Sequence, residues 1–170
     1  MIHKLQKGCA ILVMVGTVFS LTGCVMAARE VIGTVRGGHS STDVVQPIAN
    51  LGAYHNVVVG AFQNAVGPEV TTAYLTAFYQ DLNQQLQSQH LMQGTQPTLK
   101  ISGRITSFRS SVGYRHMTVD VLLQDAKTGV VLGEAKVVGK VSGARSFSEV
   151  LSATAVGIVE LITQNQNAGS

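Results

Sequence analysis

The sequence predicts a single small α+β domain with the element order β-α-β-β-β-α. Two observations lead to this class: several segments alternate apolar and polar residues as strands do, and two longer segments repeat apolar residues at helical spacing. A chain of 170 residues is long enough for one domain with a full core. We expect a mixed sheet of about four strands, with both helices packed on one of its faces.

The first strand and the first helix are predicted from residue 54 onward. Residues 55–62 are rich in β-branched side chains, which favours a buried strand. The helix is predicted to start at Gly67-Pro68-Glu69, because proline and an acidic residue suit a first helical turn. Gly94 is expected to end it. Its apolar stripe comprises Val70, Tyr74, Phe78, Leu82 and Leu86.

Three strands and a second helix complete the domain. The strands are predicted at residues 98–108, 116–124 and 130–141. Asp125 is expected to cap the turn before the last strand. Ser146 and Glu149 have the spacing of a capping box at the start of the second helix. This helix is apolar nearly all round, so its second face packs on the first helix or contacts another subunit; we favour packing within the monomer.

The N-terminus has the pattern of an export leader. Lys4 and Lys7 precede an uncharged run that is too short to span a bilayer permanently. The run ends in Leu21-Thr22-Gly23-Cys24, which resembles the lipobox of bacterial lipoprotein precursors. The resemblance implies cleavage after Gly23, and a diacylglycerol and an N-acyl chain such as palmitate on Cys24. The alternatives are an ordinary secretory signal with an incidental cysteine, or a buried apolar segment.

These predictions divide the chain into four parts. Residues 1–23 are the leader, 24–53 a lipidated tether and lead-in, 54–166 the domain, and 167–170 a disordered tail. Two valine-rich stretches of the lead-in, residues 31–35 and 44–48, are candidates to pair onto a sheet edge. Val25 follows the lipidated cysteine, and by resemblance to enterobacterial sorting signals this implies the outer membrane, on the periplasmic side rather than the surface.

Two motifs of the predicted sheet resemble those of a family of bacterial lipoproteins whose domain has no assigned function. The motifs are G-x-I-T-x-F at residues 103–108 and V-x-L-x-D-x-x-T-G-x-V-L at residues 121–132. More distantly, the element order is similar to the small domains of the curli-export and the Pel polysaccharide-export lipoproteins. Those proteins form rings, which implies that a homo-oligomer or an accessory role is open to this chain.

Charge and cysteine content narrow the function further. The chain has 12 Lys+Arg and 9 Asp+Glu, and removal of Lys4 and Lys7 with the leader leaves 10 against 9, a net charge of +1. We therefore expect no nucleic-acid partner. Cys9 is lost with the leader and Cys24 is acylated, so the mature protein has no free thiol for a disulfide, a metal or a nucleophile. We expect no cofactor besides the acyl chains.

Candidate site residues are few. Three arginines, Arg104, Arg109 and Arg115, are candidate contacts for anionic lipid headgroups or acidic glycans because of their positive charge. The alternative is a solvated loop. His39, His55, His90 and His116 lack metal-ligand spacing, so no metal site is expected. Asp120, Asp125 and Glu134 are not forced together by their spacing, and no catalytic motif is present.

The sequence therefore predicts a non-enzymatic outer-membrane lipoprotein that serves as a scaffold or accessory subunit of an envelope assembly. The machinery concerned is export, a surface appendage or polysaccharide secretion. The partners are the membrane through the anchor, and a second copy or other envelope proteins. The rival hypothesis is a monomeric lipoprotein that binds a lipid, a glycan or a peptide.

Overall fold

The computed structural model describes residues 33–35, without their side chains, and residues 38–168. The leader, the lipobox with Cys24, most of the predicted tether and the last two residues lie outside this part of the chain. The described residues form β1 (Gly33–Val35), β2 (Gly38–Gln46), β3 (Asn56–Asn64), α1 (Thr72–Ser88), β4 (Thr98–Ser111), β5 (Tyr114–Asp125), β6 (Val131–Ser142) and α2 (Phe147–Asn167).

The strands form one mixed sheet in the order β1-β2-β6-β5-β4-β3. All neighbouring strands are antiparallel except β3 and β4, which are parallel and are connected through α1. Both helices pack on one face of this sheet, where the core lies. The predicted α+β class, with two helices and a mixed sheet, is confirmed.

The sheet has more strands than the expected four because the predicted lead-in contributes to it. β2 pairs with β6 over its whole length, and β1 adds a short hairpin to β2. The side chains that β2 turns toward the core are Ser40 and Thr42, which are 3% and 7% exposed. Because these residues are polar, no apolar alternation marks the strand in the sequence. The sheet therefore begins before residue 54.

The first helix is shorter than predicted at both ends. Thr71 is its N-cap and accepts a hydrogen bond from the Tyr74 N–H at 3.3 Å. The residues before it form a turn that is held by the side-chain amide of Asn64. At the other end His90 takes a left-handed conformation, with φ 57°. The helix thus stops before Gly94.

The second helix is the centre of the core. It packs on β2, β5 and β6 of the sheet and on α1, and residues on nearly all of its sides are buried. It approaches β6 at Gly139, where a Cβ would lie 2.1 Å from Thr154 Oγ1. Gly157 leaves similar room for the Cβ of Ser40. The predicted packing of its second apolar face within the monomer is confirmed.

The start of α2 differs from the predicted capping box. Ser146 is the N-cap, but its hydroxyl lies 2.7 Å from Ser148 Oγ and makes no bond to the helix backbone. Glu149 pairs with Arg145 at 3.4 Å instead of returning to the N-cap. The reciprocal hydrogen bonds of a capping box were therefore predicted wrongly, although the boundary was right.

The length and composition of α2 would also suit a helix that spans a membrane. However, 56% of its most apolar 18-residue segment is buried inside the domain, as expected for a core helix.

Candidate functional site

The face of the sheet that turns away from the helices, called the open face below, carries most of the charged side chains of the strands. Successive residues of a strand point to opposite faces, and residues paired across two strands point to the same face. The pairing therefore arranges the open-face side chains in rows that cross the strands. Two such rows and a groove define the candidate site.

A groove of about 560 Å³ crosses the middle of the open face. It is open to solvent and is lined by residues of five strands, from β2 at one side to β3 at the other. Its charged lining comprises Lys100, Arg104, Asp120, Glu134 and Lys136. Ser102 and Leu122 lie between them. The groove thus combines cations, carboxylates and an apolar floor.

One row of the open face alternates in charge; we call it the mixed row. Asp43, Lys136, Asp120 and Arg104 are direct partners across β2, β6, β5 and β4. Opposite charges in directly paired positions stabilise a sheet, so this order suits the monomer. Asp120 Oδ1 is nevertheless buried without a hydrogen-bond partner. This carboxylate oxygen is therefore an acceptor for which the described residues supply no donor.

A second row is composed of basic residues alone; we call it the basic row. His39, Lys140, His116 and Arg109 are direct partners across the same four strands. Burial lowers the pKa of His116, and the charges of Arg109 and Lys140 lower it further. Its Nδ1 is buried without a partner, while its Nε2 lies 3.1 Å from Ser107 Oγ. No carboxylate belongs to this row.

The hairpin between β4 and β5 is called the Val112 hairpin. Its tip lies three residues beyond Arg109 of the basic row. Val112 at its tip is fully exposed, and Gly113 supplies the positive φ of 92° that the turn requires. Tyr114 is 36% exposed, and Lys140 Nζ lies 4.1 Å from the centre of its ring. An apolar tip therefore stands next to a basic row.

The three predicted arginines do not form one patch. Arg104 lies in the mixed row and Arg109 in the basic row, so both are on the open face. Arg115 points to the covered face, where its guanidinium stacks on the ring of Phe147 at 4.8 Å and donates to the carbonyl of Arg145. Sequence reasoning missed Lys136 and Lys140. Their alternation along one strand was visible, but only the strand order shows that they lie beside Asp120 and His116.

The three candidate carboxylates do not lie together in the structure. Asp120 and Glu134 both line the groove, whereas Asp125 lies at the far end of β5. Asp125 Oδ1 accepts hydrogen bonds from the Lys127 and Thr128 N–H groups and from the Thr128 hydroxyl. These bonds, with those to Thr128 contributing most, lower the pKa of Asp125. The predicted turn-capping role of Asp125 is confirmed.

Within residues 38–168, no group of three or more His, Cys, Asp or Glu side chains is arranged to hold a metal ion. His39 and His116 share the basic row, whereas His55 and His90 lie outside the strand pairs of the open face. The expectations that the chain has no cofactor and is not an enzyme stay predictions.

Comparison with solved structures shows a shared fold. The PelC dodecamer of Paraburkholderia phytofirmans is 14% identical, with 76% of this chain and 96% of that chain covered and a TM-score of 0.50. A Xanthomonas campestris protein of the DUF330 family is 10% identical, with 75% and 98% covered and a TM-score of 0.52. A lipoprotein of Neisseria meningitidis, 15% identical with 68% and 99% covered, has a TM-score of 0.35, too low to carry an argument.

No protein-family model matches the chain, and no curated protein matches it. The sequence predicted a likeness to the Pel polysaccharide-export lipoprotein, and the structural comparison with PelC confirms it for the fold. At 14% identity the likeness to PelC shows the fold alone. The likeness to a lipoprotein family by the motifs at residues 103–108 and 121–132 stays a prediction.

Proposed function

We propose that the chain is an outer-membrane-anchored periplasmic lipoprotein that acts as a non-enzymatic scaffold or accessory subunit of an envelope assembly. The lipobox sequence that ends in Cys24 supports the anchor. The shared fold with PelC, a dodecamer, supports assembly with further copies of the chain. Export, appendage and polysaccharide machineries are the assemblies that the proposal covers.

The observation that carries the proposal is the open face. Helices cover only one side of the sheet, and the other side presents a groove across five strands together with two rows of charged side chains. Exposed Val45, Val58 and Val131 add apolar surface to the same face. A broad, mixed surface of this kind suits protein contacts with an apolar centre and a polar rim.

The first experiment measures the native mass and composition of the acylated protein. The protein is crosslinked in cells, extracted in mild detergent and sized. We expect a discrete complex larger than the 17.9 kDa chain, with either one subunit type or additional envelope proteins. A bare monomer under crosslinking would contradict the assembly role.

Variants of the two cysteines test the anchor independently of the assembly. Replacement of Cys24 by alanine removes the acylated sulfur, and we expect the protein to leave the membrane fraction. Cys9→Ala is the matched control, because it changes a cysteine of the leader and leaves the lipobox intact. A Cys24→Ala protein that still fractionates with membranes would contradict the anchor.

The groove favours a second candidate function, a monomeric binding module. A buried acceptor at Asp120 Oδ1, flanked in the mixed row by Arg104 and Lys136, suits a small ligand with both donors and negative charge. This function predicts a monomer whose ligand is lost on Asp120→Ala substitution, which removes both carboxylate oxygens. The scaffold proposal predicts a complex that survives the same substitution.

A further inference from the structure

We propose that the end of the sheet that carries the Val112 hairpin docks on an anionic phospholipid bilayer. The basic row contacts the phosphate groups, and Val112 lies in the headgroup region. The inference deepens the proposed function, because it states how the anchored domain is oriented on its membrane. The inference uses the proposed anchor only to place the domain near the membrane. The docking surface itself is formed by residues that the structure describes.

The first argument is charge. Lys140 and Arg109 lie on either side of His116 in the basic row, so two cations are presented on one line of the open face. Among the described residues the ion pair within 4.0 Å is Arg145 with Glu149, so neither Lys140 nor Arg109 has a carboxylate partner. An arrangement of this kind is stabilised when an external anion contacts the row. A bilayer with acidic lipids supplies many phosphates in one plane.

The second argument is the apolar tip. A valine that is fully exposed at the end of a hairpin gains nothing from an acidic glycan, whereas it is stabilised between lipid headgroups. Tyr114 has the amphipathic ring that is frequent at membrane interfaces. Because Lys140 Nζ lies over that ring, the cation and the aromatic side chain are presented together. The tip therefore favours a bilayer over a soluble polyanion.

The third argument is the path of the chain. β2 starts at Gly38, which pairs with Val141, one position from the basic row. β1 precedes it, and Gly33 is nine residues from the predicted anchor at Cys24. At no more than about 3.6 Å per residue, that segment reaches at most about 32 Å. A tether of this length keeps this strand, and the sheet end beside it, close to the membrane.

The same end of the sheet carries two more arginines on its covered side. Arg115 stacks on Phe147, and Arg145 accepts its hydrogen bond and pairs with Glu149. The guanidinium of Arg115 therefore reinforces the positive potential around the Val112 hairpin from the other side. At the opposite end, the turn between β5 and β6 contains one cation, Lys127, and one carboxylate, Asp125.

The experiment places an environment-sensitive fluorophore at the tip of each hairpin. The acylated mature protein carries Val112→Cys or, as the matched control, Ala126→Cys in the exposed turn after β5. The introduced cysteine is the free thiol, since Cys9 is removed and Cys24 is acylated. Each protein is reconstituted into phosphatidylcholine vesicles with or without one quarter phosphatidylglycerol. We expect a blue shift at position 112 only, and only with phosphatidylglycerol.

Charge variants test whether the basic row causes the shift. Arg109→Gln and Lys140→Gln together should move the equilibrium from docked to undocked domains by about 30-fold, because each basic residue near an anionic surface contributes roughly fivefold. Lys127→Glu in the turn after β5 changes the net charge by the same two units elsewhere and should leave the shift unchanged. High salt should abolish the shift in the parent protein.

Three results would overturn the docking. One is an equal shift at position 126, and another is a shift at position 112 that needs no phosphatidylglycerol. The third is a shift induced by polygalacturonate on phosphatidylcholine vesicles, which would assign the basic row to an acidic glycan. A protein that fails to float with phosphatidylcholine vesicles would contradict the anchor instead. For that protein, sedimentation with phosphatidylglycerol vesicles still tests docking, and its absence would refute it.

Discussion

The two faces of the sheet are built from the same strands but differ in how tightly their residues are packed. On the covered face, α2 approaches β6 so closely that Gly139 has no room for a side chain against Thr154. On the open face, Val138 is half-buried between Ser41 and Thr118, and Lys140 is exposed to solvent. The covered face is thus fixed by steric fit, whereas the open face has free space and polar groups without partners inside the protein.

This difference locates stability and recognition on opposite sides of one sheet. Changes on the covered face must displace packed atoms, because a protein interior leaves few voids. Changes on the open face alter the interaction with solvent or a partner and leave the core in place. Four described side chains have a buried polar atom without a hydrogen-bond partner: Asp120 and His116 belong to the open face, whereas Arg115 and Glu149 belong to the helix-covered side. Variants on the two faces should therefore separate the two properties.

The largest effect is expected from Gly139→Ala. The new Cβ would lie 2.1 Å from Thr154 Oγ1 and 2.7 Å from the Thr154 nitrogen, so α2 has to shift as a unit. We expect the free energy of unfolding to fall by about 3 kcal/mol or more, at the upper end of overpacking in a core. Urea denaturation followed by circular dichroism measures it.

Val138→Ala is the matched control, because it changes the adjacent residue of the same strand on the open face. We expect this variant to lose about 1 kcal/mol or less, since its side chain is only half-buried. Similar losses for the two variants would show that the helix does not depend on the contact at Gly139, and the contrast between the faces would not hold.

A smaller effect, with a definite dependence on pH, is expected from Glu160→Gln at the edge of the covered face. Burial raises the pKa of Glu160, and the hydrogen bond from Ser40 Oγ at 3.3 Å offsets this in part. The folded protein therefore holds the proton more tightly than the unfolded chain. The stability of the parent protein should fall as pH rises from the ordinary value of 4.5 through the raised pKa.

The glutamine variant removes that dependence. It should be more stable than the parent at pH 7 and equally stable below pH 4, where both side chains are uncharged. Urea midpoints across this range measure the difference, and Glu69→Gln, at an exposed glutamate, serves as the control. A variant that is less stable at pH 7 would mean that the carboxylate is stabilised by contacts which the burial of Glu160 does not reveal.

The sequence predicted the covered face better than the open face. The strands β3 to β6 and both helices follow from apolar periodicity, and the turn at Asp125 follows from the local preferences of Asp and Gly. β2 has a weaker signal: Ser40 and Thr42 occupy its covered positions, and only the valine-rich stretch at residues 44–48 indicated pairing at a sheet edge. The basic row depends on the order of the strands in the sheet. The position of Lys140 beside His116 therefore follows from the tertiary structure and cannot be predicted from a local sequence pattern.

The smallest effect on stability is expected from the combined change Arg109→Gln and Lys140→Gln. Relief of repulsion in the basic row opposes the loss of the contact between Lys140 and Tyr114, so the free energy of unfolding should change by less than about 1 kcal/mol. The pKa of His116 provides the sharper readout. Two of the causes that lower it are the charges of Arg109 and Lys140, and burial, the largest cause, remains.

In the double variant the pKa of His116 should therefore rise but stay below the ordinary histidine value, as measured by NMR titration. The Lys127→Glu protein should show an unchanged pKa of His116. A rise without loss of stability would show that the row is a set of mutually repelling cations that the fold tolerates without depending on it. An unchanged His116 would mean that the three side chains do not interact across the strands, and the charge argument for membrane docking would then fail with it.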